Sequence, residues 1–294
     1  MRKSLKKKLS NSLSLETLDE VFSSFDLIGD IAIIKAPSNS NAAVLVAKQI
    51  MVIHKGVNSV FLQTSPVHGD HRIRKLTLLA GKNKTVATYK EAGCLFAVDI
   101  EKCYFSPRLS YERLHIACQV LPNETVINMF AGVGCFSIIT AKKIPNTKVY
   151  SIDINPTAYK FMKENILVNK VFGKVVPLLG DAKDVVETQL QGVADRVLMP
   201  LPEKALEYLP VAISALKKEG GWIHYYDFQH ATTEEDPRKK TEKKVAEKLT
   251  SLGIHYTFAH GRVIRSTGPY WYQTALDIRV NGCPSNLNNT NSFR

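Results

Sequence analysis

The chain has 294 residues, 45% of them hydrophobic and 22% charged, with a formal net charge of +12. No apolar run reaches the length of a membrane span, and the opening MRKSLKKKLSNSLSLETLDE has basic residues without the apolar run of a secretory leader, so membrane insertion and export are excluded and a cytoplasmic location is expected. The length suits one large domain or two moderate ones, and the basic excess favours a polyanionic partner such as nucleic acid.

Cys94, Cys103, Cys118, Cys135 and Cys283 are scattered, with no Cys-x-x-Cys pair, which argues against a disulfide framework and a structural zinc site. The histidines show no ligand spacing, so no metal is expected.

Residues 1–21 read as a polar, basic lead-in. LIGDIAIIKAP alternates like a strand and stops at Pro37. SNSNAAVLVAKQIMVIHKG has Ser and Asn for caps, a helical apolar face and a closing Gly56. SVFLQT, RIRKLTLLAG and KTVATYKEAGCLFAVDI read as strands joined by turns, with Arg72 and Arg74 on one strand face. Together these make a small α+β domain over residues 22–100, followed by the connector EKCYFSPRLSYERLHIACQVL.

From Thr125 the rhythm becomes strand–helix alternation. TVINMF, KVYSIDI, KVVPLLGDA, DRVLMPL and WIHYYDF are strands; CFSIITAKKI, PTAYKFMKENILVNK, KDVVETQLQ and EKALEYLPVAISALKK are the helices between them. The charged TTEEDPRKKTEKKVAEKLTSLG reads as an exposed amphipathic helix. HYTFAHGRVIRS and YQTALDIRV, with no helix between them, suggest an antiparallel edge. Alternation of this kind predicts an α/β doubly wound, Rossmann-like parallel sheet over residues 101–282, with a polar tail at 283–294.

Ligands of such a sheet sit at the carboxyl ends of its strands, beside the switch point. Three groups stand there. FAGVGCF (Phe130, Ala131, Gly132, Val133, Gly134) lets a ligand approach open backbone amides; Asp153 ends the next strand, where a carboxylate can hold ribose hydroxyls; Asp181 is placed to accept from an exocyclic amine. Either aspartate also reads as a plain helix N-cap. The loop is Gly-x-Gly-x-x-Ser, with Ser137 in place of the third Gly or Ala that packs a helix beneath a pyrophosphate. That, with the antiparallel end pair, disfavours NAD and favours S-adenosylmethionine.

FSPRLSYERLHIA, VINMFAGVGCFSI, VYSIDINPTAYKFMKENILVNKV, DRVLMPLPEKALEYL and GGWIHYYDF together resemble the archaeal and eukaryotic tRNA (guanine-37-N1)-methyltransferases, and FDLIGDIAIIK and HGDHRIRKLTLLAG extend the likeness over roughly residues 22–281. The resemblance implies a class I fold and methyl transfer from S-adenosylmethionine to guanine N1 beside the tRNA anticodon. It places Glu112 as the base and Arg72 at O6. It assigns Arg113, Asn128, Ile154 and Ala182 to the cofactor beside the loop residues, Asp153 and Asp181. Arg74, Arg108, Tyr111 and Arg265 fall to the RNA, and the enzyme is expected to act as a monomer. The chain departs from the family pattern at three points. Asn128 stands where an Asp usually opens the glycine loop. Pro200, in MPLP, stands where a catalytic-pocket Asn is common. Only about twenty residues precede the match, so the extra N-terminal domain of many relatives is not expected.

Guanine N1 carries a proton, so its methylation needs a base there and a donor at O6. Tyr104, Phe105, Tyr111, Tyr225, Tyr226, Tyr270 and Trp271 are candidates to stack splayed bases, and RIRK, PRKKTEKK and GRVIRS to track phosphates. PRKKTEKK also reads as a solvated helix face, and His224 as a packed strand residue. The rival readings are an aminocarboxypropyltransferase of wybutosine synthesis, added C7 methylation of a tricyclic guanosine derivative, and an inactive RNA-binding relative.

Overall fold

A computed structural model describes Leu9, residues 24–35 and residues 40–282. The expected basic lead-in, the stop at Pro37, Cys283 and the polar tail lie outside the described residues. The chain divides into two compact units, residues 1–110 and 111–294.

In the first unit the predicted strand of LIGDIAIIKAP is a hairpin, β1 (Asp26–Ile28) and β2 (Ile31–Ile34). Gly29 makes the turn at φ +57°, and a Cβ there would fall 2.3 Å from the Thr88 carbonyl oxygen, so only glycine closes it. Helix α1 (Ser40–Ile53) crosses over to β3 (Ser59–Gln63), which lies parallel to β2, and β4 (Leu76–Gly81) completes a sheet of order β1-β2-β3-β4. Val46, Ala47 and Ile50 of α1 pack on Ala32, Ile34 and Val60 of that sheet. β5 (Val86–Glu91) and β6 (Cys94–Asp99) form a separate hairpin. RIRK is not strand. Arg72 lies in a turn at φ +50°, its N–H bonded to the Gly69 carbonyl, and β4 begins only at Leu76. The connector also differs from expectation. A 3₁₀ turn (Pro107–Leu109) leads into helix α2 (Ser110–Gln119), and Arg108 reaches back 2.8 Å to Asp26, tying the turn to the first unit.

The second unit is the doubly wound sheet, of order β12-β13-β11-β10-β7-β8-β9. Its strands are β7 (Thr125–Asn128), β8 (Lys148–Asp153), β9 (Val175–Leu179), β10 (Arg196–Met199), β11 (Gly220–His230), β12 (Tyr256–Gly268) and β13 (Trp271–Asn281). The five from β7 to β11 are parallel, and the chain reverses its direction of travel between β7 and β10, which places the switch point beside the glycine loop. β13 lies antiparallel to both β11 and β12, as the pair without a helix predicted. The helices are α3 (Cys135–Lys143), α4 (Pro156–Val168), α5 (Ala182–Val185, running into a π-turn at Val186–Leu190), α6 (Ala205–Ala215) and α7 (Pro237–Ser251). Central strands such as Arg196–Met199 are buried on both faces, with Ile127, Val197, Ile223 and Ile278 in one apolar core.

The sheet's edges are irregular. β9 carries Pro177, which has no N–H to donate, and β12 slips register at three places. β11 starts at Gly220 (φ +87°), where a Cβ would lie 2.1 Å from the Val280 carbonyl oxygen. Gly220→Ala should lower unfolding stability by about 1–3 kcal/mol, read by denaturant titration, because the alanine must strain the backbone or part β11 from β13.

Candidate active site

Residues at the ends of β7, β8 and β9 line up along one sheet margin, since the three strands are neighbours. After β7 the chain turns through Gly132 (φ +57°) and Gly134 (φ +92°) into α3. Ala131 and Val133 are buried, and the Ala131 N–H donates to the Ile152 carbonyl and the Gly134 N–H to the Ala131 carbonyl, so these amides, expected to be open to a ligand, are engaged within the turn. Asp153 closes β8 with both oxygens in use. Oδ2 accepts the Gly132 N–H at 2.6 Å and Oδ1 the Asn155 N–H at 2.9 Å. A carboxylate has about four acceptor positions, so one such group can serve several donors at once. The N-cap of α4 is Asn155, not Asp153: its Oδ1 accepts from Thr157 and Ala158. Beside it Ile154 is 43% exposed and offers an apolar face.

Asp181 does cap α5, accepting the Lys183 N–H at 2.7 Å. Its other oxygen accepts the Tyr208 hydroxyl at 2.6 Å, and the Tyr208 ring meets Phe130 edge-on at 5.3 Å. Burial and the neighbouring Asp181 charge push the Tyr208 phenol well above its usual value, so it stays a donor. No motif announced Tyr208; a tyrosine in an amphipathic helix reads as core.

Asn128 is fully buried and does not line the ligand side. Its Nδ2 donates to Ser137 Oγ at 3.1 Å and its Oδ1 accepts the Phe130 N–H at 3.4 Å, so it braces the glycine loop from behind. That bond also accounts for Ser137 at the third position of Gly-x-Gly-x-x-Ser. Arg113 and Ala182 are likewise buried. These groups fit S-adenosylmethionine, which has no phosphates: the glycine turn for its amino-acid end, Asp153 for ribose, Ile154 and Asp181 for adenine.

Glu112, on α2, is 2% exposed. Its Oε1 accepts from Tyr226 Oη at 2.7 Å and Arg262 Nη2 at 2.6 Å, and its Oε2 from Arg262 Nε at 3.1 Å. The Tyr226 ring lies edge-on to Phe136, two residues past Gly134, with ring centres 6.3 Å apart. Glu112 is thus one side chain removed from the helix that begins at the glycine turn. Burial and the Glu112 carboxylate push the Tyr226 phenol well above its ordinary value.

Several expectations are corrected here. Tyr225, Tyr226 and Phe105 are buried and offer no stacking face, whereas Tyr111 is 79% exposed and Tyr270 and Trp271 are also exposed. Arg262, expected to track phosphates in GRVIRS, is committed to Glu112 and Asp277. Arg265 is half-buried and donates to Gln273 at 2.8 Å. Pro200 sits in a tight turn closed by the Leu201 N–H on the Met199 carbonyl. Of PRKKTEKK, Arg238 pairs with Asp236, the cap of α7, on an exposed face, whereas Lys244 reaches the buried Asp227.

In the first unit the Arg72 guanidinium lies 4.0 Å above the Tyr104 ring. Arg74 donates weakly to Gln63 at 3.4 Å, and burial, with Arg108 nearby, holds its pKa below the usual value.

Residues 87–252 match the model of the TRM5/TYW2 methyltransferase domain, and residues 5–85 that of the TYW2 N-terminal domain. The chain belongs to the TRM5/TYW2 methyltransferase family. It is therefore an S-adenosylmethionine-dependent methyltransferase by descent, in agreement with the fit of the glycine turn, Asp153 and Asp181. It is 40% identical over 258 residues to tRNA (guanine(37)-N(1))-methyltransferase Trm5b of Pyrococcus abyssi, covering 87% of this chain and 74% of the relative. It is 37% identical over 270 residues to tRNA 4-demethylwyosine(37)-methyltransferase Taw21 of Saccharolobus solfataricus, covering 91% and 97%. Among solved structures, the complex of aTrm5 and tRNALeu superposes with a TM-score of 0.80 at 34% identity, covering 96% of this chain and 79% of that one. No helix among the described residues is long and apolar enough to cross a membrane.

Tyr208 fixes the Asp181 carboxylate, the group expected to meet adenine. Tyr208→Phe should weaken S-adenosylmethionine binding about 3- to 10-fold by titration calorimetry, the worth of one hydrogen bond, and leave the α5 cap in place.

Proposed function

We propose that the chain is a tRNA (guanine-37-N1)-methyltransferase acting in the cytoplasm on the anticodon loop. The observation that carries this reading is the Glu112 carboxylate, fixed by Tyr226 and Arg262 next to the helix that opens at the glycine turn. Relatives named for this activity support it.

When bound, S-adenosylmethionine supplies an electrophilic methyl carbon already activated by its sulfonium. The protein's part is then deprotonation and position. Glu112 takes the N1 proton. Arg72, its guanidinium laid on the Tyr104 ring, donates to O6, where charge gathers as that proton leaves. The exposed Arg108 and Tyr111 contribute RNA contacts. In this reading the enzyme acts as a monomer.

The second reading is methylation of 4-demethylwyosine at the same position of tRNA. It is favoured by the near-complete overlap with Taw21, and by Pro200, which offers guanine no side-chain hydrogen bond. The test is mass spectrometry of nucleosides after incubation with S-adenosylmethionine and either an unmodified transcript carrying guanosine 37 or tRNA carrying 4-demethylwyosine. The expected product is 1-methylguanosine on the first. Its absence, with a methyl gained only on the second, would move the chain to the wyosine branch. Glu112→Gln should lower the methyl-transfer rate about 10²- to 10⁴-fold, and Arg72→Ala about 10²- to 10³-fold.

A further inference from the structure

Glu112 belongs to a buried chain of charges that the reaction as described does not use. Arg262 spends Nε and Nη2 on Glu112 and gives Nη1 to Asp277 Oδ2 at 2.7 Å. Gln119 Nε2 adds a bond to the same oxygen at 3.2 Å. Asp277 Oδ1 lies 2.6 Å from His224 Nδ1, and Arg196 Nη1 lies 2.6 Å from His224 Nε2. A guanidinium only donates, so Nε2 is the acceptor and the ring proton is on Nδ1, donated to Asp277. His224 is therefore neutral. Burial works in the same direction, holding its pKa below the ordinary histidine value. Arg196 is itself matched by Glu124, at 2.8 and 3.1 Å.

The charges then count as follows. Arg196 and Glu124 cancel, Tyr226 and His224 are neutral, and one cation, Arg262, faces two carboxylates, Glu112 and Asp277. Arg113, the other charged neighbour on α2, is buried and has its own partner. Phe136 lies edge-on to the Tyr226 ring. The cluster carries one net negative charge out of water, so a single proton neutralises it.

We propose that Arg262 and Asp277 are positioning residues for proton uptake: Arg262 holds the Glu112 carboxylate in its fork, and Asp277, by sharing that guanidinium, takes up part of the positive charge that would otherwise fall on Glu112 alone. This rests on Glu112 being the base. The N1–H bond breaks, its electron pair stays on N1 for the new bond to carbon, and the proton goes to Glu112, where Oε2 accepts only one hydrogen bond and has a lone pair left. Asp277 does not compete. Burial alone would raise its pKa, but the His224 hydrogen bond and the Arg262 charge hold it well below the usual carboxylate range.

The test follows the ¹³C carboxyl resonance of Glu112, assigned by its loss in Glu112→Gln, against pH in the full-length protein, together with the pH–rate profile of single-turnover methylation. Arg262→Gln removes the cation and should move the titration midpoint and the acidic limb of the rate profile up by about 1 pH unit or more. Asp277→Asn leaves Arg262 to Glu112 alone and should move both down, with a plateau rate about tenfold lower and an unchanged KM for tRNA. Movement in the same direction in both variants, or rate loss with neither midpoint moved, overturns the proposal. If Asp277→Asn does not fold, Tyr226→Phe removes one donor at nearly constant volume and should move the midpoint up; no movement overturns the proposal equally. Full activity in Glu112→Gln would instead sink the reading of Glu112 as the base.

Discussion

A single guanidinium organises the catalytic half of this protein. Arg262 comes from β12, yet its three polar nitrogens are divided between Glu112 on α2 and Asp277 on β13. Without it two carboxylates would lie buried and close together with only neutral donors around them, at a cost of several kcal/mol. With it, the helix that brings Glu112 into place is pinned to the antiparallel edge of the sheet. The bond to Tyr226 adds β11 to the same junction. The outer antiparallel strands therefore act as a scaffold for a carboxylate supplied by a different part of the chain.

The cofactor margin follows another rule. There the charged groups act on backbone rather than on one another. Asp153 fastens the Gly132 amide, Asn128 braces the loop through Ser137 and Phe130, and Asp181 combines a helix cap with a tyrosine bond. Each short polar contact fixes the direction of a carboxylate or an amide at the strand ends. The sheet order brings the three loops together.

This difference decides what could be read in advance. The alternation of strands and helices, the antiparallel end pair and the three strand-end groups are all local or periodic features. They were legible from spacing, and the linked motifs carried the family. The Arg262–Glu112 pair joins residues 150 apart in sequence, and neither GRVIRS nor PRLSYER announces the other. Helix α2 was hidden because its stretch is polar and charged, and its buried face mixes Glu112 and Arg113 with only Ile116 and Ala117. Arg72 was misplaced because RIRK alternates like a strand, whereas the backbone at Arg72 is left-handed. Asn128 was assigned to the cofactor because the family resemblance places an Asp there, whereas its buried side chain bonds Ser137 and the Phe130 amide.

The two margins of the large sheet have a consequence for assembly. At β9 the ring of Pro177 interrupts the row of amides that an incoming strand would need, and at β12 three slips of register break the ladder that a partner would have to follow. A second polypeptide therefore finds no regular template at either end. Growth of the sheet by strand addition, the usual first step of edge-to-edge aggregation, is blocked by backbone geometry alone, which leaves the exposed side chains around the site free to be shaped by the RNA they meet.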